Sequence, residues 1–445
     1  MVRKIMIITI FFNFQIINCF SSDSAQHVKT GLTFGALPSI AFDTDIGFKY
    51  GLLTNFYLFG DGSTYPKYRH SLFMEWFQTT KGSGLMQLIY DSEYLIPNIR
   101  LTAEASYITE QALDFYGFNG YTASYFPNLA DPEHPDYISR MFYRHERKML
   151  RLRSDFQGSI LGKKLRWLAG FEHNGFNVGT VDIDKLNRGK SDNDKLPKED
   201  LLYDKFVEWG VIPYDEKDGG NHNLFKFGLV FDTRDNEPNP MKGIWSEIYL
   251  LTAPAFLGNK PNYSKLAITH RHYFTLVEEV LNLAVRLSYQ PKVGGTIPFY
   301  SLPFIHSTNI TRDGLGGAKT MRGILRNRVV GDDILYGNVE MRWKFIRTIL
   351  WNQHLYFALS AFSDFGRITS PYEFTWHGQY SPPNPPNPDA DMWFSNKDFE
   401  KMHISYGIGI SGALNHNFVA QINYGRAVDK RDGKSGLYIG LNFLY

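Results

Sequence analysis

The alternation over residues 338–345 constrains this chain more than any other stretch. Asn338, Glu340, Arg342 and Lys344 fall on one face of an extended segment, and Val339, Met341, Trp343 and Phe345 on the other, because successive side chains of a strand point to opposite sides. One face suits water and the other suits lipid. Charged and large apolar residues rarely alternate this sharply in a buried strand of a soluble protein. The pattern therefore predicts a wall of a transmembrane β-barrel. Immediately before it, Gly314, Gly316 and Gly317 lead a loop into Met321-Arg322-Gly323-Ile324. Glycines permit close backbone approach, and the loop is expected to tuck into the lumen. An arginine held there needs carboxylates to offset its lost hydration, and its planar fork suits two.

The N-terminus points to export. A basic start, MVRK, precedes a run from Ile5 to Ile17 that is apolar apart from Thr9, Asn13 and Gln15, and small or polar residues follow. Residues 1–25 read as a secretory signal peptide, too short to span a bilayer as a helix. The single cysteine, Cys19, lies at its end, and Asn18 before it fits a lipidation signal poorly. Once this leader is removed the chain has no thiol, hence no disulfide and no cysteine chemistry. No later stretch reaches the roughly 20 apolar residues a spanning helix requires. Lys and Arg number 47 against 45 Asp and Glu, which gives no electrostatic case for nucleic acid. The 16% aromatic content suits a barrel with interfacial girdles.

From about Thr30 the chain is a succession of strand-like runs bounded by turn residues, sixteen in all, from Gly31–Phe42 to Lys434–Tyr445. Leu281, Leu283, Val285, Leu287 and Tyr289 alternate with Asn282, Ala284, Arg286, Ser288 and Gln290, and Ile404, Tyr406, Ile408 and Ile410 with Ser405, Gly407, Gly409 and Ser411. A soluble sandwich also alternates, but here the inward set is small and polar while the outward set is apolar and aromatic. An even number of strands closes without a free edge, as lipid demands. Connections alternate in length. Those at Pro97, Gly158–Ser159, Val277–Glu278, Arg347–Gln353 and Asn415 are tight, whereas Gln111–Tyr137, Val178–His222, Gly294–Gly331 and Arg367–Met402 are long and polar. Short periplasmic turns and long extracellular loops produce this rhythm. The expected fold is all-β: a sixteen-stranded antiparallel transmembrane β-barrel over residues 26–445, with a lumen-inserted sixth extracellular loop.

Two further motifs stand in register with the loop. Phe231–Gly243 (FDTRDNEPNPMKG) ends a strand in a turn holding Asp232, Arg234, Asp235 and Gly243, and Phe362-Ser363-Asp364-Phe365-Gly366 follows the charged strand. Together with Arg322-Gly323, the acidic position Glu340 and the C-terminal Gly440-Leu441-Asn442-Phe443-Leu444-Tyr445, these make the chain resemble the bacterial surface antigen superfamily of outer-membrane barrels, the BamA/TamA type. The resemblance implies that Arg322 meets Glu340 and Asp364 on the barrel wall, and that Gly440, Phe443 and Tyr445 belong to an assembly signal. It also implies a weakly paired seam between the first and last strands that opens sideways. Two departures stand out. The residue after Arg-Gly is normally aromatic and is Ile324 here. Members that insert or translocate proteins carry periplasmic POTRA domains, for which the few residues between leader and first strand leave no room. The expectation is a barrel-only branch, served by a separate periplasmic or lipoprotein partner.

Enzyme chemistry is not expected. The sequence has no Gly-x-Ser-x-Gly elbow, no His-Glu-x-x-His and no phosphate-cradling loop. His270 and His272 share a strand face but lack a third ligand for a metal, so neither metal nor cofactor is expected. The functional expectation is an outer-membrane barrel that aids insertion or translocation of proteins or lipids. The alternative is a diffusion pore, or a structural or adhesive protein whose extracellular loops bind a ligand.

Overall fold

The computed structural model describes residues 28–43, 47–65, 67–162, 164–237, 239–308, 314–350, 353–374, 392–394, 400–414, 418–441, 443 and 445. The expected signal peptide, residues 1–25, and with it Cys19, lies outside these residues. Seventeen strands follow one another as an antiparallel meander: β1 (Gly31–Asp43), β2 (Gly47–Gly60), β3 (His70–Thr79), β4 (Gly84–Ile96), β5 (Ile99–Asp114), β6 (Arg144–Leu161), β7 (Leu165–Gly179), β8 (Gly219–Asp232), β9 (Gly243–Ala253), β10 (Tyr263–Val277), β11 (Leu281–Gln290), β12 (Lys292–Gly295), β13 (Asp333–Leu350), β14 (Gln353–Ser370), β15 (His403–Leu414), β16 (Phe418–Ala427) and β17 (Ser435–Leu441). β11 and β12 are one stave of the barrel interrupted at Pro291, whose missing N–H cannot join a ladder. Both halves pair with β10, and the stave count is sixteen.

Inside and outside differ as the alternation demands. On β13, Asn338, Glu340, Arg342 and Lys344 are buried, while Val339, Met341, Trp343 and Phe345 are exposed to the bilayer side. Leu52, Trp76, Met86 and Tyr107 form one outward row across β2 to β5, set by ladder register and all exposed. Such a row faces lipid, which takes apolar side chains without the cost that water would impose. No helix among the described residues is long and apolar enough to cross a membrane; the strands do the crossing.

The extracellular end is roofed. Residues of loops 115–143, 180–218, 296–308 and 371–374, with 392–394, meet in an aromatic cluster that includes Phe115, Phe142, Tyr203, Phe206, Phe299, Tyr300, Tyr372 and Trp393. Two short helices in the second of these loops, α1 (Ile183–Asn187) and α2 (Leu202–Glu208), contribute to it. Rings meet edge to face, as Phe115 on Phe206 (5.2 Å) and Phe142 on Tyr143 (5.0 Å), the arrangement favoured by aromatic quadrupoles. A cavity beneath, lined by Phe118, His145 and Arg147 among others, holds only about 30 Å³, room for little more than one water.

Among the described residues no backbone ladder joins β1 to β17. β1 pairs with β2 along its whole length, whereas β17 pairs with β16 over only seven residues, Ser435 to Leu441. The last strand thus ends four residues short of the expected Tyr445. Beyond it Phe443 lies against the Arg342 guanidinium (3.9 Å), and Tyr445 is buried with its hydroxyl on Ala284 O (3.3 Å). Arg286 lies over the Tyr445 ring at 4.8 Å, so each ring meets a lumenal arginine.

Candidate functional site: the lumenal loop and its anchors

The loop 296–332 enters the lumen, and its turn is glycine-dependent. Gly316, Gly317 and Gly323 have φ of 104°, 81° and 94°, a region closed to most L-residues. Gly323 has a second reason: a Cβ there would lie 2.5 Å from the Arg426 backbone nitrogen on β16. Reciprocally, a Cβ on Gly425 would meet the Arg322 carbonyl carbon at 2.7 Å. Loop and wall touch backbone to backbone.

That approach places Arg322 between two carboxylates. Its Nε and Nη2 donate to Asp364 Oδ2 and Oδ1 at 2.9 and 3.0 Å, and its backbone N–H also reaches Oδ2 at 2.9 Å. Nη1 donates to Glu340 Oε2 at 2.6 Å. The guanidinium lies over the Phe362 ring at 3.4 Å, and the residue is 1% exposed. Asp364 sits opposite Asn338 in the β13–β14 ladder, with Glu340 two residues along on the same inward face, so one planar cation spans both strands. Burial works against the charge, but the neighbouring Glu340 and Asp364 outweigh it and hold Arg322 above the usual arginine range. Glu340 is shared, since its other oxygen accepts from Arg342 Nε at 2.7 Å. Gly323 N donates to the Tyr438 hydroxyl on β17 at 2.8 Å. Ile324, where an aromatic residue is the norm, is 1% exposed and packs with Leu315, Met321, Val329, Tyr336 and Ile368.

Several anchors were not singled out from the sequence. Glu247 on β9 and Arg271 on β10 form a buried pair at 2.8 Å. Thr308 donates to Glu247 through both its hydroxyl and its N–H, and Arg271 also donates to Ser307. Arg271 sits between His270 and His272. The histidines face outward, His270 on the Ser246 hydroxyl and His272 on the Phe274 ring, and the residue between them serves the lumen. The strand period alone would have pointed to it. Arg326 reaches Glu110 on β5 at 2.7 Å. Arg328, fully buried, donates to three carbonyls, Gly120, Ala123 and Arg431, and burial lowers it from the ordinary arginine range. At the roof, His403 lies between Asp432 (2.6 Å) and Glu400 (3.2 Å), stacked on Tyr121.

The turn motif lies at the opposite, periplasmic end. Arg234 pairs with Asp232 through two bonds, of 3.0 and 2.7 Å, and covers the Trp245 ring at 4.0 Å. Asp235 accepts from the backbone of Asn236, Met241 and Lys242. Gly243, at φ 109°, has no room for a side chain beside Thr233 O. Among the described residues, the partners of Arg322 are Asp364, Glu340 and Phe362, none of them in this turn. Of the C-terminal trio, Gly440 is in β17 opposite Gln421, and Phe443 and Tyr445 turn into the lumen.

The model of the Omp85 superfamily domain matches residues 149–443, more than half of the sequence. The chain belongs to the Omp85 superfamily. Among solved structures, BamA from Haemophilus ducreyi lacking POTRA domains 1–3 is similar over 93% of this chain and 69% of its own, with a TM-score of 0.50 and 14% identity. CdiB from Escherichia coli is similar over 92% of this chain and 62% of its own, with a TM-score of 0.50 and 10% identity. At these identities the likeness is one of fold. No curated protein matches the sequence. This Omp85 protein is thus a BamA/CdiB-like outer-membrane β-barrel.

Proposed function

We propose that this Omp85 barrel aids the insertion or translocation of proteins at the outer membrane, in concert with a periplasmic or lipoprotein partner and without a catalytic step. The observation that carries the reading is the join between loop and seam. The Arg322-Gly323 turn rests on Gly425 of β16 and bonds Tyr438 of β17, and among the described residues β17 has no ladder to β1. A loop locked to β13 and β14 by a buried ion cluster therefore also holds the strands that flank the opening. A steady diffusion pore fits less well with a lumen occupied by this loop and roofed by packed aromatic rings.

The test closes the seam. Added Cβ atoms at Gly35 on β1 and Gly440 on β17 both meet open space, so Gly35→Cys with Gly440→Cys offers one uncrowded thiol on each side of the seam to a bifunctional thiol reagent. Bridging is expected to stop accumulation of newly made outer-membrane proteins in cells that depend on this barrel, with recovery when a cleavable reagent is cut. Undiminished accumulation with the seam bridged would refute the reading. Large unitary conductance in planar bilayers would favour the pore instead.

A further inference from the structure

The outer surface carries a basic cleft at the extracellular rim that the lumenal machinery does not use. It has a volume of about 380 Å³ and lies between the β3–β4 turn and α1, lined by Lys81, Lys185 and Arg188 together with Thr80, Tyr50 and Gln78. Its lining holds three cations and no carboxylate. Acids of the same loop are engaged elsewhere: Asp184 with Lys198 at 2.6 Å, Asp192 with Lys195 at 2.7 Å, and Asp182 on the backbone of Lys185. Lys81 Nζ donates to the carbonyl oxygen of Arg188, which ties the β3–β4 turn to the end of α1. Burial, with the charges of Lys190 and Arg188, pushes the Lys81 ammonium below its usual range. Crowded cations without an anion are the signature of a site for one.

What lies below the cleft names the anion's carrier. Tyr50 belongs to the outward face of β2, where Phe48, Tyr50 and Leu52 are exposed, and Tyr50 meets Trp76 of β3 edge to face at 5.8 Å. Aromatic rings of this kind mark the membrane interface, and the apolar rows beneath them face hydrocarbon. We propose that this cleft binds the phosphate of a phosphorylated lipid of the outer leaflet, whose acyl chains lie along the exposed faces of β2 and β3. The two halves of the ligand match the two halves of the site: phosphate oxygens on Lys81, Lys185 and Arg188, and tails on Leu52, Met74 and Trp76. A soluble phosphate would use the first half only.

The experiment is a titration of the detergent-folded full chain, followed by native mass spectrometry. The probes are bisphosphorylated lipid A, its dephosphorylated form and inorganic phosphate. One phosphorylated lipid is expected per barrel, with the dephosphorylated form and the Lys185→Gln/Arg188→Gln variant each weaker by about tenfold or more, as loss of charge-assisted bonds implies. Lys217→Gln, in the same loop but outside the cleft and held over the Tyr214 ring, is expected to bind as the parent does. Should the double variant fail to show the heat-modifiable mobility of a folded barrel, Lys81→Gln carries the test. Equal binding by the cleft variants, equal binding of the dephosphorylated lipid, or displacement of the lipid by millimolar inorganic phosphate would each overturn the proposal.

Discussion

Replacing Arg322 by alanine tests the lumenal cluster most directly. The guanidinium supplies three side-chain hydrogen bonds to Glu340 and Asp364. Without it Glu340 keeps Arg342 at 2.7 Å, but Asp364 keeps only the backbone N–H of residue 322 among these bonds. Removing one partner of a buried ion pair costs about 3–5 kcal/mol, because the remaining charge stays desolvated. The docked state of the loop should therefore fall by roughly two to four powers of ten, at about 1.4 kcal/mol for each. Arg322→Lys should fall between parent and alanine, since an ammonium cannot span Asp364 as a fork. The double change Arg322→Met, Asp364→Asn should recover much of the loss, because it removes the stranded Asp364 charge and leaves Glu340 paired with Arg342. Urea titration of the folded barrel in micelles reads the global effect, and protease sensitivity of residues 314–332 reads the local one. If Arg322→Ala stays within about 0.5 kcal/mol of the parent, the range of an ordinary surface change, and the loop remains protected, the electrostatic account is wrong.

Two other outcomes are expected. Gly323→Ala should undock the loop as effectively, because both its φ of 94° and the 2.5 Å approach to Arg426 N forbid a side chain; retention of the loop's protease resistance would contradict this. Glu216, buried in the roof and accepting from Phe299 N at 2.9 Å, is pushed up to about 7 by burial. Its folded value lies above the unfolded one, so its protonated form favours the roof. That contribution is full below about pH 4.5 and is lost as pH rises towards about 7. Hydrogen-exchange protection over residues 292–304 should fall between pH 5 and 8 in the parent and stay level in Glu216→Gln.

Most of the scaffold was legible because a strand in a membrane wall must alternate, and alternation is written locally. β1 begins at Gly31 and runs one residue past the expected Phe42, and β13 shows the two faces that residues 338–345 display. Reading failed where neighbours in space are far apart in sequence. Pro291 splits one stave, although the alternation from Leu281 to Gln290 reads on as a single strand. The last strand stops at Leu441 because the rings of Phe443 and Tyr445 find arginines on other strands. Glu247, Arg271 and Arg328 follow no motif; each matters through a partner in another loop or strand. Nor does anything periodic mark Phe206, Phe299 and Trp393 as members of one roof.

The loop's polar contacts described above reach strands from β5 round to β17, by way of Arg326–Glu110, Thr308–Glu247, Arg322–Asp364 and Gly323–Tyr438. β1 to β4 receive none of them. The cylinder is in effect a braced hoop with one hinged leaf, and a change in bilayer thickness or lateral tension should be taken up in that leaf while the braced arc keeps its curvature.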